Sequence, residues 1–438
     1  GDKRQLVVLA SFSDLDFLQE NPLPVWEPIF NQQNFNDSLH YGSVHDYFYD
    51  QSYGKFNLQF DLYAIKVNKE HAFYRSTSTD DANAALLIID LVDSLKNIVT
   101  DWAPYDWNND GYVDQIFVLF AGMGQNDGGG SNSIWANQAA LTIYDHEPIT
   151  VSSNEKEYKI NNYGCFPEHG KNSSSFGTLC HEFGHCLGLP DFYYSSYSFL
   201  GDWDIMDHGN YNNNGYCPPC YSAHERMVLG WLDIKELTSP TSITDMPALC
   251  DEPIAYMIRN DNYPNEYYIL ENRQKKSWDQ SLPSSGLVIF HIDYDEYLWI
   301  YDSPNNYTNN HYTIVPANNM SYTPVSYGWA YPFNGKDSLT NYSAPAATLR
   351  HAAKDGTNLL SKPITNIKVN DGLVSFDFMG GEQTAIQQTE TEEHVTAVYD
   401  LHGRKIPVSH LKEGIYIFRY TNGNTKKVLW SPNKQVRL

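Results

Sequence analysis

Residues 181–191 read HEFGHCLGLPD. With 3.6 residues per helical turn, His181 and His185 leave one face of a helix close enough for both imidazoles to grip one metal ion. Glu182 sits beside the first of them, where a carboxylate can take a proton from a water that the metal activates. Gly188 can adopt the left-handed conformation that ends a helix, and the reversed chain then brings Asp191 back towards the imidazoles as a third ligand. The pattern is HExxHxxGxxD. Two His, one Asp and an open fourth position describe a catalytic zinc site; a structural site would close that position with protein. Such an ion lowers the pKa of water towards about 7 and polarises a carbonyl, which is the chemistry of amide hydrolysis.

A methionine follows where an extended site of this kind wants an apolar floor. It is Met206, in GDWDIMDHG at 201–209. The constellation resembles that of metzincin-like endopeptidases, with Asp191 standing where most of them carry His. Glu225, in AHERMVLGW, is a competing third ligand from a later helix; motif spacing favours Asp191. Tyr211, His208 and His224 lie downstream as candidate hydrogen-bond donors to a developing oxyanion.

A second metal pattern is DWNNDGYVD at 106–114. Asp106, Asn108 and Asp110 at alternate positions, then Gly111 for the turn, the Tyr112 carbonyl and Asp114, follow the order of a calcium loop. Phe117 stands where the bidentate Glu of a full loop would be. A bound calcium is expected to staple the preceding long helix to the strand VDQIFVLFAG, which is in turn expected to edge the cleft and pair with substrate backbone. Cys217-Pro-Pro-Cys220 lacks the second pair or thioredoxin-like context that a zinc or redox CxxC needs. Six cysteines are too few to staple 438 residues, so the core and bound ions must supply the stability.

The 53 acidic against 29 basic residues give a net charge of −24, which argues against nucleic acid as a partner. No run of eighteen apolar residues is present, so no transmembrane segment is expected. The chain opens Gly1-Asp2-Lys3 without a signal peptide, which suggests a processed form.

The chain reads as α+β: a zincin-like catalytic domain over 1–238, an all-β sandwich-like domain over 239–382, and a linker with a small β-module over 383–438. QLVVLASFS at 5–13 predicts a buried strand, and the stretch to about residue 40 reads as loop. Ser43 caps a short helix, and KFNLQFDLYAIKV at 55–67 reads as a strand pair. Ser78 or Thr79 opens the longest helix, ending near Trp102, with Ala82, Leu86, Ile89, Val92 and Ile98 on its core face. The spans 124–134 and 163–176 are expected as loops rimming the cleft. YSAHERMVLGW reads as a further helix, and AYMIRN, EYYILENRQ, GLVIFHID and LVSFDF as strands in which Glu271, Arg273, His291 and Asp293 are structural.

Together VVLASFSDLDF, YFYDQSYGKFNL, the DWNNDGYVD loop, HEFGHCLGLPD, WDIMDHG, LGW at 229–231 and EYYILENRQ with GLVIFHID resemble the immune inhibitor A family of secreted bacterial zinc endopeptidases, over residues 5 to about 380. The resemblance implies a zinc protease with bound calcium, acting on protein or peptide substrates and made with a signal and an inhibitory prosegment. The tail, YDLHGRKI through GIYIF, resembles the C-terminal sorting domains of type IX secretion substrates. That implies export across an outer membrane, then release or attachment at the cell surface. Two other readings of the zinc pattern are an adhesin stabilised by zinc without turnover, and an esterase or amidase of small substrates.

Overall fold

The apolar run near the N-terminus forms the strand Asp2–Ser11, with Leu6, Val7, Val8, Leu9 and Ala10 shielded from solvent in the computed structural model. The structure describes residues 1–77, 81–321, 323–381, 395–420 and 425–430. The strand is second in a five-stranded sheet ordered Asn57–Lys66, Asp2–Ser11, Ile116–Met123, Asn162–His169, Asn137–Ala140. The first four run parallel and Asn137–Ala140 is antiparallel to its neighbour. Continuous apolar runs suit the central parallel strands, which are covered on both faces.

Several sequence expectations change here. The span 55–67 holds one long strand, Asn57–Lys66, not a pair, because the register from Asp2 opposite Asn57 to Ser11 opposite Lys66 leaves no turn. Ile116–Met123 does not edge the cleft; it is central, and Asn137–Ala140 takes the edge. The span expected as loop from 163 holds the strand Asn162–His169. The helix Leu23–Asn31, with Pro28 inside it, occupies part of the expected N-terminal loop. The long helix runs Ala82–Leu95, stopping short of Trp102, and residues 78–80 lie outside the described residues. Its buried face is Ala84, Ala85, Leu87, Ile88, Leu91, Val92 and Leu95, while Ile98 is exposed. ANAALLIIDLVDSL is apolar on most sides, so periodicity alone leaves the buried side open. The Ser43 helix is as expected: Val44–Gln51, with a reciprocal cap between Ser43 and Asp46.

The HExxH segment lies in the helix Phe176–Cys186, packed on the five-stranded sheet. Phe183, two residues past His181 and so on the far side, anchors it among the rings of Phe48, Phe117 and Phe60, at 4.9, 5.2 and 6.1 Å.

Beyond residue 238 the four expected runs form strands: Tyr256–Arg259, Glu266–Arg273, Gly286–Asp293 and Leu373–Phe378. A second five-stranded sheet is ordered Tyr312–Ile314, Gly286–Asp293, Glu266–Arg273, Tyr256–Arg259, Lys235–Glu236, and a three-stranded sheet Thr241–Met246, Leu373–Phe378, Ile364–Asn370. Strand alternation divides the former between two cores. Tyr268, Leu270, Leu287 and Ile289 pack with Ile243, Phe376 and Phe378 of the three-stranded sheet. Their neighbours Tyr267, Ile269, Val288 and Phe290 belong to the large core that includes Phe183 and Met206. The expected division between 1–238 and 239–382 is therefore not a break in packing: Gly1–Gly381 is one compact unit. Buried polar groups tie it further. Arg273 pairs with Glu271 and Asp279, Glu271 Oε2 accepts from Ala223 N at 2.6 Å, and Arg273 Nη2 donates to the Cys220 carbonyl at 3.1 Å.

The second unit, Glu382–Leu438, carries a four-stranded antiparallel sheet ordered Lys405–Ile406, Val395–Tyr399, Gly414–Tyr420, Thr425–Trp430. The linker expected at 384–394 falls outside the described residues. The architecture is mixed α+β with several sheets, and no helix among the described residues is long and apolar enough to cross a membrane.

Candidate metal centre

Gly188, at φ +94°, closes the HExxH helix in a Schellman turn: its N–H donates to His185 O at 2.9 Å and Leu189 N–H to Gly184 O at 3.1 Å. The reversed chain returns Asp191 to the imidazoles. Asp191 Oδ1 lies 3.2 Å from His181 Nε2 and 3.3 Å from His185 Nε2, and the two nitrogens are 3.2 Å apart. A tetrahedral ion with bonds of about 2.0–2.1 Å needs ligand atoms about 3.3–3.4 Å apart, so the triangle fits zinc. The other ring nitrogens are spoken for. His181 Nδ1 donates to Ile205 O at 2.7 Å and His185 Nδ1 to Leu189 O at 2.8 Å, which aims both Nε2 lone pairs at the shared point. Asp191 Oδ1 is buried without a hydrogen bond. Among the described residues this is the one group of three or more His, Cys, Asp or Glu donors within 4.8 Å of each other.

The electrostatics ask for a cation. Burial alone would lower the His185 pKa, but the Asp191 charge outweighs it and raises it to about 10; His181 is also raised, by its hydrogen bond to Asp191. Burial would raise Asp191, yet the two imidazoles hold it well below the carboxylate range. Protons and a divalent ion compete for such a site, so metal binding releases protons. Glu182 is buried beside it, and burial pushes its carboxyl up to about 7 against the pull of the two His.

Glu225, the competing ligand, lies elsewhere. It is fully buried, caps Ser222 in the helix Ala223–Val228, and is held near 7 chiefly by burial. The short side of the HExxH helix is reserved for the Met206 turn. A Cβ on Gly184 would meet Met206 Sδ at 2.6 Å, and one on Gly177, two turns earlier, would meet Asn210 O at 1.8 Å. The absence of side chains there lets the turn press against the helix and deliver the Ile205 carbonyl to His181.

A cavity of about 680 Å³ opens on His181, Glu182, His185 and Asp191, walled by Trp135, Ala136, Asn137 and Gln138 on one side and Trp299, Ile300, Tyr301 and Asp302 on the other. A smaller one of about 110 Å³ opens on His181 and Glu182 and contains Tyr193, His208 and Tyr211. Tyr211 is 43% exposed, its hydroxyl 3.5 Å from Asn126 Nδ2. His224 is not in either; it is buried among Trp299, Tyr312 and Tyr267, and burial lowers its pKa to about 3. Sequence reasoning missed Tyr193, whose phenol burial and then the Asp191 charge hold well above the ordinary value, and Asp302, which accepts the Asp191 N–H at 2.5 Å. Neither sits at motif spacing from the ligands.

The 106–114 loop is assembled differently. Asp106 accepts from Asp110 N and Gly111 N, both at 3.0 Å, Asp110 from Tyr112 N at 2.8 Å, and Asp114 from Trp107 N at 2.5 Å. Asn108 accepts from Asp110 N at 2.9 Å, and Tyr112 begins the two-residue strand Tyr112–Val113. Lys3 Nζ donates to Trp107 O at 2.8 Å and Trp107 Nε1 to Arg4 O at 2.7 Å, so the loop is fastened to the strand Asp2–Ser11. All six cysteines are unpaired.

Residues 4–227, just over half of the chain, match the catalytic domain of immune inhibitor A peptidase M6. The chain is 26% identical over 233 residues to the pre-pro-metalloprotease PrtV of Vibrio cholerae serotype O1, covering 46% of this chain and 25% of that protein. It is 27% identical over 133 residues to immune inhibitor A of Bacillus thuringiensis subsp. alesti, covering 27% of this chain and 18% of that protein. The matched stretches thus span a quarter or less of the length of these relatives.

Proposed function

The chain belongs to the immune inhibitor A peptidase M6 family, and on that premise we propose that it is a zinc endopeptidase acting on protein or peptide substrates. The observation that carries the metal assignment is the triangle of His181, His185 and Asp191 around a buried carboxylate oxygen that no hydrogen bond satisfies. When bound, zinc supplies a Lewis acid for the scissile carbonyl and acidifies the attacking water.

The chain's own residues do the rest. Glu182, buried and held near 7, is suited to take the proton of the attacking water and pass it to the leaving amine. Substrate backbone adds to the edge strand Asn137–Ala140, whose Asn137 and Gln138 line the cavity. Met206 floors the site. Tyr211 donates to the carbonyl oxygen as charge develops on it, with Tyr193 a second donor at the same cavity.

Calcium in the 106–114 loop, export from the cell, an inhibitory prosegment and a sorting role for 383–438 belong to the same proposal. The precursor form in the name of the Vibrio relative supports a prosegment.

The experiment is digestion of an unbiased peptide mixture by the wild type and by Glu182→Ala, with zinc content measured in both. The variant should retain zinc and lose on the order of 10²–10⁴-fold in cleavage. Near-normal cleavage by the variant removes Glu182 as the base; no cleavage by zinc-loaded wild type favours the adhesin reading.

A further inference from the structure

We propose that the segment 299–305, outside the stretch that matches the peptidase family, is part of the metal centre: Trp299, Asp302 and Asn305 hold the loop 188–192 so that Asp191 meets the two imidazoles. The inference rests on the metal-centre reading above.

Asp191 has a short side chain, so its oxygen goes where the loop backbone puts it. Three of the polar backbone groups flanking it are held from this one segment. Trp299 Nε1 donates to Gly188 O at 3.0 Å, Asp302 Oδ1 accepts from Asp191 N at 2.5 Å, and Asn305 Nδ2 donates to Phe192 O at 2.9 Å. The segment is itself anchored. Asn305 exchanges hydrogen bonds of 2.8 and 2.9 Å with the Tyr312 backbone, and Tyr312 begins a strand of the second five-stranded sheet. Phe192 stacks on the Tyr312 ring at 4.0 Å, and Trp299 packs edge-on against Phe192 at 5.8 Å. Asp295 caps the short helix Glu296–Ile300 that carries Trp299. A continuous path of contacts therefore runs from the second sheet to the third ligand. These are positioning residues; none is a ligand.

Outer partners of this kind are worth roughly 10–100-fold in metal affinity. The test is zinc affinity by chelator competition on the full chain, with the unfolding midpoint of the metal-free protein measured alongside. Asp302→Ala should weaken zinc binding on the order of 10–100-fold while its metal-free midpoint stays near that of the wild type. Asp302→Asn, which keeps an oxygen to accept the Asp191 N–H, should recover most of that loss. Alanine binding zinc within about twofold of wild type overturns the proposal, and so does an asparagine variant as weak as the alanine one, because charge rather than positioning would then be acting. If the alanine variant does not fold, Trp299→Phe decides: a several-fold loss is expected, and no loss overturns. His185→Ala separates the two readings. If it binds zinc as tightly as wild type, the metal centre itself is wrong; if it loses zinc while Asp302→Ala does not, only the positioning role fails.

Discussion

Two loops of this chain carry acidic side chains at metal-ligand spacing, and they use their oxygens in opposite ways. In 106–114 the carboxylates turn inward and accept the loop's own amides, with Lys156 also beside Asp106 at 3.4 Å. In 188–192 the Asp191 oxygen is kept from every amide and faces two imidazoles. The amides that satisfy the first loop's carboxylates come from within its own nine positions. The second takes its geometry from the Met206 turn and from 299–305, far along the chain. A donor is left hungry for a cation only if something else holds the backbone that would otherwise satisfy it, and holding it requires remote parts of the fold.

The strongest way to break this contrast is to remove the remote support. A chain ended after residue 238 loses Trp299, Asp302 and Asn305, and also Met257, Tyr267, Ile269, Val288 and Phe290 from the large core. Each such side chain contributes roughly 1.5–3 kcal/mol when buried, which together rivals the about 5–15 kcal/mol net stability of a typical domain. That chain should be insoluble or lack a cooperative melt by circular dichroism, whereas one ended after Gly381 should melt like the full protein. A cooperative melt in the shorter chain would mean that 1–238 is autonomous after all.

Next comes the ligand itself. His185→Ala should lose zinc by more than the roughly 10–100-fold typical of an outer partner, read by chelator competition, while the same measurement on Asp110→Asn should match wild type. Equal losses would erase the distinction between the loops.

The smallest effect sharpens the other side. Asp106 is buried, and Asp106→Ala strands the Gly111 amide and leaves the Asp110 amide with Asn108 as its remaining acceptor. It should cost about 1.5–3 kcal/mol in calcium-free urea unfolding. If calcium binds there, the gap to wild type should widen with added calcium; a gap that stays fixed would make the loop a self-sufficient turn.

Much of the site was legible in the sequence because it is local. HExxH and Gly188 marked the helix, its left-handed end and the chain reversal towards Asp191, and the Ser43 cap was equally short-range. The failures share one cause. Glu225, the less favoured alternative to Asp191, carries the right chemistry but belongs to a buried cap. Ile116–Met123 carries the right composition for a strand, yet composition does not say whether a strand is central or at the edge. His224 looks like a donor in sequence and is sealed among aromatic rings in the fold.

The sequence by itself pointed to a candidate ligand pattern, a carboxylate beside it and four strands of the second half, since helix and strand periods are set by backbone geometry whatever surrounds them. Only the tertiary structure decided what covers each strand face, which edge lines the cleft, and which residues withhold hydrogen bonds from Asp191. The contacts that hold the Asp191 loop join segments more than a hundred residues apart, and no local period records them.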